Sequence, residues 1–126
     1  ALKSAGVPCA IGSSTPRENL EQAIEKLGLT EFFAASAAME DVKNGKPAPD
    51  VFLCAAEKLG VPPRKCVVFE DSEAGIDAAI AAKMKCVAVA TTHPAEFWES
   101  RYKGFPDVII NDFTPLSVAD IRGLFA

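Results

Sequence analysis

The chain alternates between short apolar runs and longer segments with apolar residues at helical spacing, and this alternation constrains the fold most. KCVVFED, residues 65–71, is largely apolar until it ends in two acidic residues. SEAGIDAAIAAKM, residues 72–84, then has the periodicity of a helix. Continuously apolar strands are typical of parallel sheets that are covered on both faces. The alternation therefore predicts an α/β fold, a parallel sheet with helices on both faces.

The same two patterns recur along the whole sequence. Further strands are predicted in VPCAIGSS, FFAASAA, KCVAVATT and DVIIND. Further helices are predicted in RENLEQAIEKLGL, APDVFLCAAEKLG, PAEFWESRY and LSVADIRGLFA. Gly28 and Gly60 are expected to end helices, and Ser72 is expected to cap the start of one. We expect residues 1–126 to form a single α/β core domain.

The first residues, ALKSAG, resemble the last turns of a helix. Lys3 lies near the expected helix C-terminus, and Gly6 has the place of the residue that follows it. We therefore expect the domain to be part of a longer protein, with further structure upstream.

Charge and composition disfavour several classes of partner. The net charge is −4 and the isoelectric point is about 5.0, so a basic surface for nucleic acid is not expected. No apolar run approaches the roughly 20 residues that cross a membrane. The 4 cysteines show no C-x-x-C spacing, which favours buried free thiols in a reducing compartment such as the cytoplasm. Phe97, Trp98 and Tyr102 are expected to pack in the interior.

Several polar side chains follow predicted strands or stand in a nearby loop. Ser13 and Ser14 follow the first strand, Lys46 lies in the loop NGKPAPD, and Glu70 and Asp71 end a strand expected to be central. Ligands of open α/β sheets gather at the carboxyl ends of strands. Paired carboxylates suit Mg²⁺, whereas a lysine and a hydroxyl suit a phosphate group. Together these residues predict a phosphoryl site in which Mg²⁺ offsets the repulsion between Glu70 and Asp71.

Each of these residues also has a purely structural interpretation. Ser13 and Ser14 would then begin a turn or cap the next helix. Lys46 would be a solvated loop lysine. Glu70 and Asp71 would start a loop beside the capping Ser72.

The order of the motifs resembles that of the haloacid dehalogenase superfamily of phosphohydrolases. AIGSSTPREN is followed by KNGKPAPDVFLCAAEKLG and then by CVVFEDSEAGIDAAIAAKM, most similar to the branch of β-phosphoglucomutase and sugar-phosphate phosphatases. The resemblance covers nearly the whole chain and implies an incomplete Rossmann-like core. It implies that Ser13 and Lys46 are catalytic and bind phosphate together with Ser14, and that Glu70 and Asp71 bind Mg²⁺. A small phosphorylated metabolite, such as a sugar phosphate, is the implied substrate of a phosphatase or phosphomutase.

The sequence departs from the family pattern in one respect. Members use an Asp-x-Asp motif, whose first aspartate forms an aspartyl-phosphate, and these 126 residues contain no Asp-x-Asp. We therefore expect the nucleophile strand and the substrate-selecting cap upstream, and we expect residues 1–126 alone to be inactive. The strands that end at Ser13 and Asp71 should then lack a shared neighbour, and the upstream segment is needed to complete the site.

Other classes of protein remain as alternatives. A non-catalytic binding or regulatory α/β fragment would use the same fold without the chemistry. A receiver-type signalling domain is disfavoured because its acidic pair comes first and its Lys-Pro last, whereas Lys46-Pro47 here precedes Glu70-Asp71. A dinucleotide-binding domain is disfavoured because no G-x-G-x-x-G follows a strand.

Overall fold

The structure, a computed structural model, describes residues 2, 4–102, 104–112 and 116–125. In these residues strands and helices alternate as the sequence predicts. The strands β1 to β5 span Ala10–Gly12, Ala35–Ala37, Val67–Glu70, Lys85–Val89 and Val108–Ile110. The helices α1 to α5 span Arg17–Lys26, Asp50–Leu59, Glu73–Ala81, Ala95–Arg101 and Val118–Gly123. None of the helices in the described ranges has the length and apolar character that crossing a membrane requires.

The strands form two parallel sheets. β1 pairs with β2, and the second sheet has the order β3-β4-β5. The expected position of Glu70 and Asp71 at the end of a central strand is wrong, because β3 lies at the edge of its sheet. The physical reason is that no strand of the described residues pairs with the second edge of β1 or β3. This agrees with the expectation that these two strands lack a shared neighbour.

The three-stranded sheet carries apolar clusters on both faces. Successive residues of β4 alternate between them, with Cys86 and Ala88 in the main core and Val87 and Val89 in a smaller cluster. The main core also contains residues of α2, α3 and α4, whereas Leu124, next to α5, packs against the smaller cluster. Helices on both faces are therefore confirmed.

The helix boundaries depend on local capping. The Ser72 side chain accepts a hydrogen bond from the Gly75 amide at 3.1 Å, which confirms the predicted cap of α3. Gly60 follows α2 with a φ of 71°, a left-handed conformation that glycine adopts without a steric cost. The start of α3 and the end of α2 are thus determined by residues within a few positions of each boundary.

The first residues contain the hydrogen bond of a helix end. The Val7 amide donates to the Leu2 carbonyl at 3.0 Å, and Gly6 between them has a φ of 74°. Lys3, which the sequence placed near this end, lies outside the described residues.

The cysteines fit the sequence prediction only in part. All 4 are free thiols, but Cys86 is buried while Cys9, Cys54 and Cys66 are half-buried. Burial, helped by the nearby charges of Glu70 and Asp107, raises the pKa of Cys86 to about 12.

A residue just after α3 has an unfavourable backbone conformation. Lys83 has a φ of 59°, and the Met84 amide that follows it donates to the Ala79 carbonyl at 3.1 Å. A side chain with a Cβ is strained in this left-handed region, whereas glycine is not. We expect Lys83→Gly to raise the free energy of unfolding by about 1 kcal/mol, measured from the shift of the urea denaturation midpoint.

Gly60 supplies the matched control, because it has a φ of 71° and no atom lies within 4 Å of the position of a Cβ. Gly60→Ala should lower the unfolding free energy by a similar amount without any steric clash. An unchanged midpoint for Lys83→Gly would contradict the assigned strain.

Tyr102, which follows α4, is hydrogen-bonded to α3 through its hydroxyl group, and this group can be titrated. Its hydroxyl donates to Asp77 Oδ1 at 2.8 Å, and partial burial followed by this contact raises its pKa to about 12. Because an unfolded tyrosine has a pKa of about 10, this contribution to stability is present below pH 10 and is lost as pH rises towards 12.

The chain has a single tyrosine, so its phenolate absorbance can be followed directly in the ultraviolet. We expect a midpoint near 12 in the folded protein and a lower midpoint in Asp77→Asn. A folded-state midpoint at the ordinary value would contradict this contact.

Candidate functional site

Lys46 and Glu70 form the centre of the candidate site. Lys46 lies in the loop before α2 and Glu70 is the last residue of β3, and Nζ and Oε2 are 2.9 Å apart. The side chains are only 16% and 10% exposed, so the interpretation of Lys46 as a solvated loop lysine does not fit. The Lys46 ammonium group thus lies at the carboxyl end of β3.

The ring of Phe52 supports the Lys46 ammonium from a second side. Nζ lies 4.8 Å from the ring centroid, within the range of a cation–π contact. A Cβ at Gly12 would lie 3.0 Å from Phe52 Cδ1, so glycine at the end of β1 leaves room for this ring. From the sequence, Phe52 in the helical pattern APDVFLCAAEKLG is expected only to pack in the core, so its contact with Lys46 has no sequence signal.

The second carboxylate oxygen of Glu70 accepts hydrogen bonds from groups at the start of α3. Oε1 accepts hydrogen bonds from the Asp71 amide at 3.0 Å, the Ser72 amide at 3.3 Å and Ser72 Oγ at 3.0 Å. A negative charge is favourable at a helix N-terminus, where amide groups lack partners. The expectation that Glu70 stands beside the capping serine is thus correct, and Glu70 contacts Lys46 as well.

Asp71 is more open than Glu70. Its residue is exposed, and its Oδ2 accepts a hydrogen bond from Thr91 Oγ1 at 3.2 Å. Thr92 Oγ1 donates to the Asp71 carbonyl oxygen. The residues after β4 therefore border the acidic pair, and the Asp71 carboxylate keeps lone pairs available for a ligand.

The two serines lie at the end of β1. The Ser13 amide donates to Ala37 at 2.9 Å, and its hydroxyl accepts from the Thr15 amide at 3.1 Å, which closes a turn. Ser14 Oγ is 3.8 Å from the position of a Cβ on Gly45, so the serine loop borders the loop that carries Lys46.

In the described part of the chain, neither serine hydroxyl is hydrogen-bonded to Lys46, Glu70 or Asp71. The hydrogen bond to the Thr15 amide thus agrees with the turn interpretation of Ser13, and only Ser14 is shown beside the loop that carries Lys46.

The donor atoms fit Mg²⁺ better than a softer or more demanding metal. Among the described residues, no three His, Cys, Asp or Glu side chains are grouped as a metal centre would require. Glu70 and Asp71 carry hard carboxylate oxygens, of which those of Glu70 already accept from Lys46 and from the start of α3 while Asp71 is exposed. Mg²⁺ is commonly held by one or two carboxylates, water and a phosphate group. The acidic pair has the chemistry for such an ion but would supply only part of its shell.

Comparisons with known proteins identify relatives over most of the sequence. The family model described as haloacid dehalogenase-like hydrolase matches residues 1–83. The chloroplastic 5-amino-6-(5-phospho-D-ribitylamino)uracil phosphatase of Arabidopsis thaliana is 40% identical over 118 residues, which are 94% of this chain and 30% of that protein. The fructose-1-phosphate phosphatase of Escherichia coli is 46% identical over 82 residues, 65% of this chain and 44% of that protein.

A solved structure extends the likeness to the three-dimensional fold. The β-phosphoglucomutase of Clostridium difficile superimposes with a TM-score of 0.82 at 28% identity and covers 98% of this chain. The chain covers 51% of that structure, and it spans less than half the length of the two relatives. The matched family model, the relatives and the parallel α/β architecture agree, and the chain belongs to the haloacid dehalogenase-like hydrolase family.

Proposed function

We propose that the protein that carries this chain is a Mg²⁺-dependent phosphatase of small phosphorylated metabolites. The observation that carries the proposal is the Lys46 ammonium held 2.9 Å from Glu70, whose neighbour in sequence, Asp71, is exposed. A fixed ammonium group near carboxylates that could hold Mg²⁺ suits a dianionic phosphate ester and the charge that develops during phosphoryl transfer. Sugar phosphates are the favoured substrate class, because one relative is named for fructose 1-phosphate.

Each site residue receives a role in this proposal. Lys46 neutralises a phosphate oxygen, and the hydroxyl groups of Ser13 and Ser14 donate hydrogen bonds to phosphate. Glu70 and Asp71 would hold Mg²⁺, which when bound would neutralise phosphate charge and orient the ester. These residues bind and orient the phosphoryl group, and none of them is assigned as the nucleophile.

The nucleophile is proposed to be an aspartate outside these 126 residues. Its carboxylate would attack phosphorus as the bond from phosphorus to the substrate oxygen breaks, and that oxygen would take a proton from an acid of the same upstream segment. Water would then hydrolyse the aspartyl-phosphate to aspartate and phosphate and return the proton to that acid. Among the described residues no strand pairs with the second edge of β1 or β3, which supports this proposal because an additional strand could pair there. Four free thiols further support a reducing compartment for the protein.

A phosphomutase is the second candidate, favoured by the likeness to β-phosphoglucomutase. The two activities differ in product, because a phosphatase releases inorganic phosphate whereas a mutase returns an isomeric sugar phosphate. An assay that measures both products from hexose phosphates separates them directly.

The test uses the protein that carries this chain, a set of sugar phosphates and an aryl phosphate, with Mg²⁺ or EDTA. We expect turnover with Mg²⁺, loss with EDTA, recovery on adding Mg²⁺ back, and strong loss in Asp71→Asn. Glu99→Gln, an exposed carboxylate of α4, is the matched control and should leave turnover unchanged. Turnover that is independent of the metal would contradict the proposed mechanism, and no turnover with intact binding of phosphate would favour a binding or regulatory protein.

A further inference from the structure

Gly75 lies in a helix, where glycine is usually unfavourable. It lies in the first turn of α3, is buried, and its amide donates to the capping Ser72 hydroxyl. Glycine in a helix is less favourable than alanine, because it loses more conformational freedom on folding. The reason must therefore be a close contact at this position.

The space of the missing side chain is filled by the Glu70 side chain. A Cβ on Gly75 would lie 1.9 Å from Glu70 Cδ, 2.0 Å from Cγ and 2.0 Å from Oε2. Oε2 is the oxygen that pairs with Lys46, and the Glu70 side chain is only 10% exposed. No small adjustment could accommodate a methyl group at these distances.

We propose that Gly75 is a positioning residue, because the space left by its missing side chain lets the Glu70 carboxylate lie against the first turn of α3. Without a side chain at position 75, one oxygen of Glu70 reaches the amides at the start of α3 while the other holds the Lys46 ammonium. An alanine there displaces the carboxylate and breaks both sets of contacts. The catalytic consequence rests on the proposed function, whereas the contact itself does not.

A double-mutant cycle on protein stability tests the contact without any enzyme assay. Gly75→Ala should lower the denaturation midpoint of the otherwise unchanged protein. In a Glu70→Ala background the clash is gone, and the same substitution should leave the midpoint unchanged or raise it. If Glu70→Ala alone does not fold, a Lys46→Met/Glu70→Ala background removes both charges and allows the same comparison.

The matched control is Gly123→Ala in α5, where the structure shows no atom within 4 Å of the position of a Cβ. This substitution should not lower the midpoint in either background. Equal effects of Gly75→Ala with and without Glu70 would overturn the proposal.

A second measurement reports directly on the exposure of Lys46, and it is made under conditions in which circular dichroism shows both proteins fully folded. Under native conditions, acylation of Lys46 by an amine reagent, followed by mass spectrometry, should be severalfold faster in Gly75→Ala than in the unchanged protein. Lys43, an exposed lysine of the same loop, serves as the internal reference and should react at an unchanged rate. Unchanged labelling of Lys46 in Gly75→Ala would show that Glu70 still covers it and would overturn the proposal.

The enzyme assay separates this proposal from the proposed function. If the protein is the Mg²⁺-dependent enzyme proposed above, Gly75→Ala should raise the Mg²⁺ concentration for half-maximal activity, while Gly123→Ala should not. A protein without such activity contradicts the proposed function, but the stability cycle and the labelling still decide whether Gly75 positions Glu70.

Discussion

Replacing Lys46 by alanine is expected to lower kcat/KM for a phosphate ester by roughly 30- to 1,000-fold. This range corresponds to about 2 to 4 kcal/mol, the usual loss when one charged contact to a transition state is removed. Lys46 is suited to this role because the Glu70 carboxylate and the Phe52 ring fix its ammonium group. Preorganisation of the cation means that little reorganisation is needed when the phosphoryl group gains charge.

Lys43→Ala is the matched control, because Lys43 lies in the same loop but is exposed. It should leave kcat/KM within about twofold, since exposed charges contribute little. Thermal denaturation of both variants separates lost chemistry from lost fold. An unchanged kcat/KM in a folded Lys46→Ala protein would show that Lys46 has a structural role only.

Replacing Trp98 by alanine is expected to lower the free energy of unfolding by about 3 to 5 kcal/mol, out of the roughly 5 to 15 kcal/mol typical of a domain. Trp98 is fully buried in the main core. Phe97 and Tyr102 lie against it, with ring centroids at 5.0 and 6.3 Å. The cavity left by alanine would remove these contacts and could not be refilled without moving α4. Urea denaturation, with the slope checked for two-state behaviour, gives the measurement.

Trp98→Phe is the informative comparison. Within the described chain, the indole Nε1 of Trp98 is buried without a hydrogen-bond partner, which is an unfavourable arrangement. Phenylalanine removes this donor and keeps most of the aromatic surface, so we expect it to cost far less than alanine. An equal loss of unfolding free energy in Trp98→Phe and Trp98→Ala would contradict both the packing role of the ring and the unpaired Nε1 donor.

The phosphoryl-site hypothesis depended on both topology and resemblance. Parallel strands predict that residues at their carboxyl ends lie at one edge, and Lys46 and Glu70 do lie together although they are 24 positions apart. The sequence could not predict that Glu70 would accept from three donors at the start of α3 and from Lys46 as well. That arrangement depends on the space at Gly75, which a motif does not reveal.

The sequence by itself determined the alternation of strands and helices, the Ser72 cap and the glycine at the end of α2, because these depend on periodicity and on neighbours a few residues apart. Only the tertiary structure decided that the strands form two sheets with β3 at an edge. It alone also placed Phe52 under Lys46 and Thr91 beside Asp71. Contacts of this kind depend on how closely packed elements distant in sequence fit together, and apolar spacing does not encode that fit.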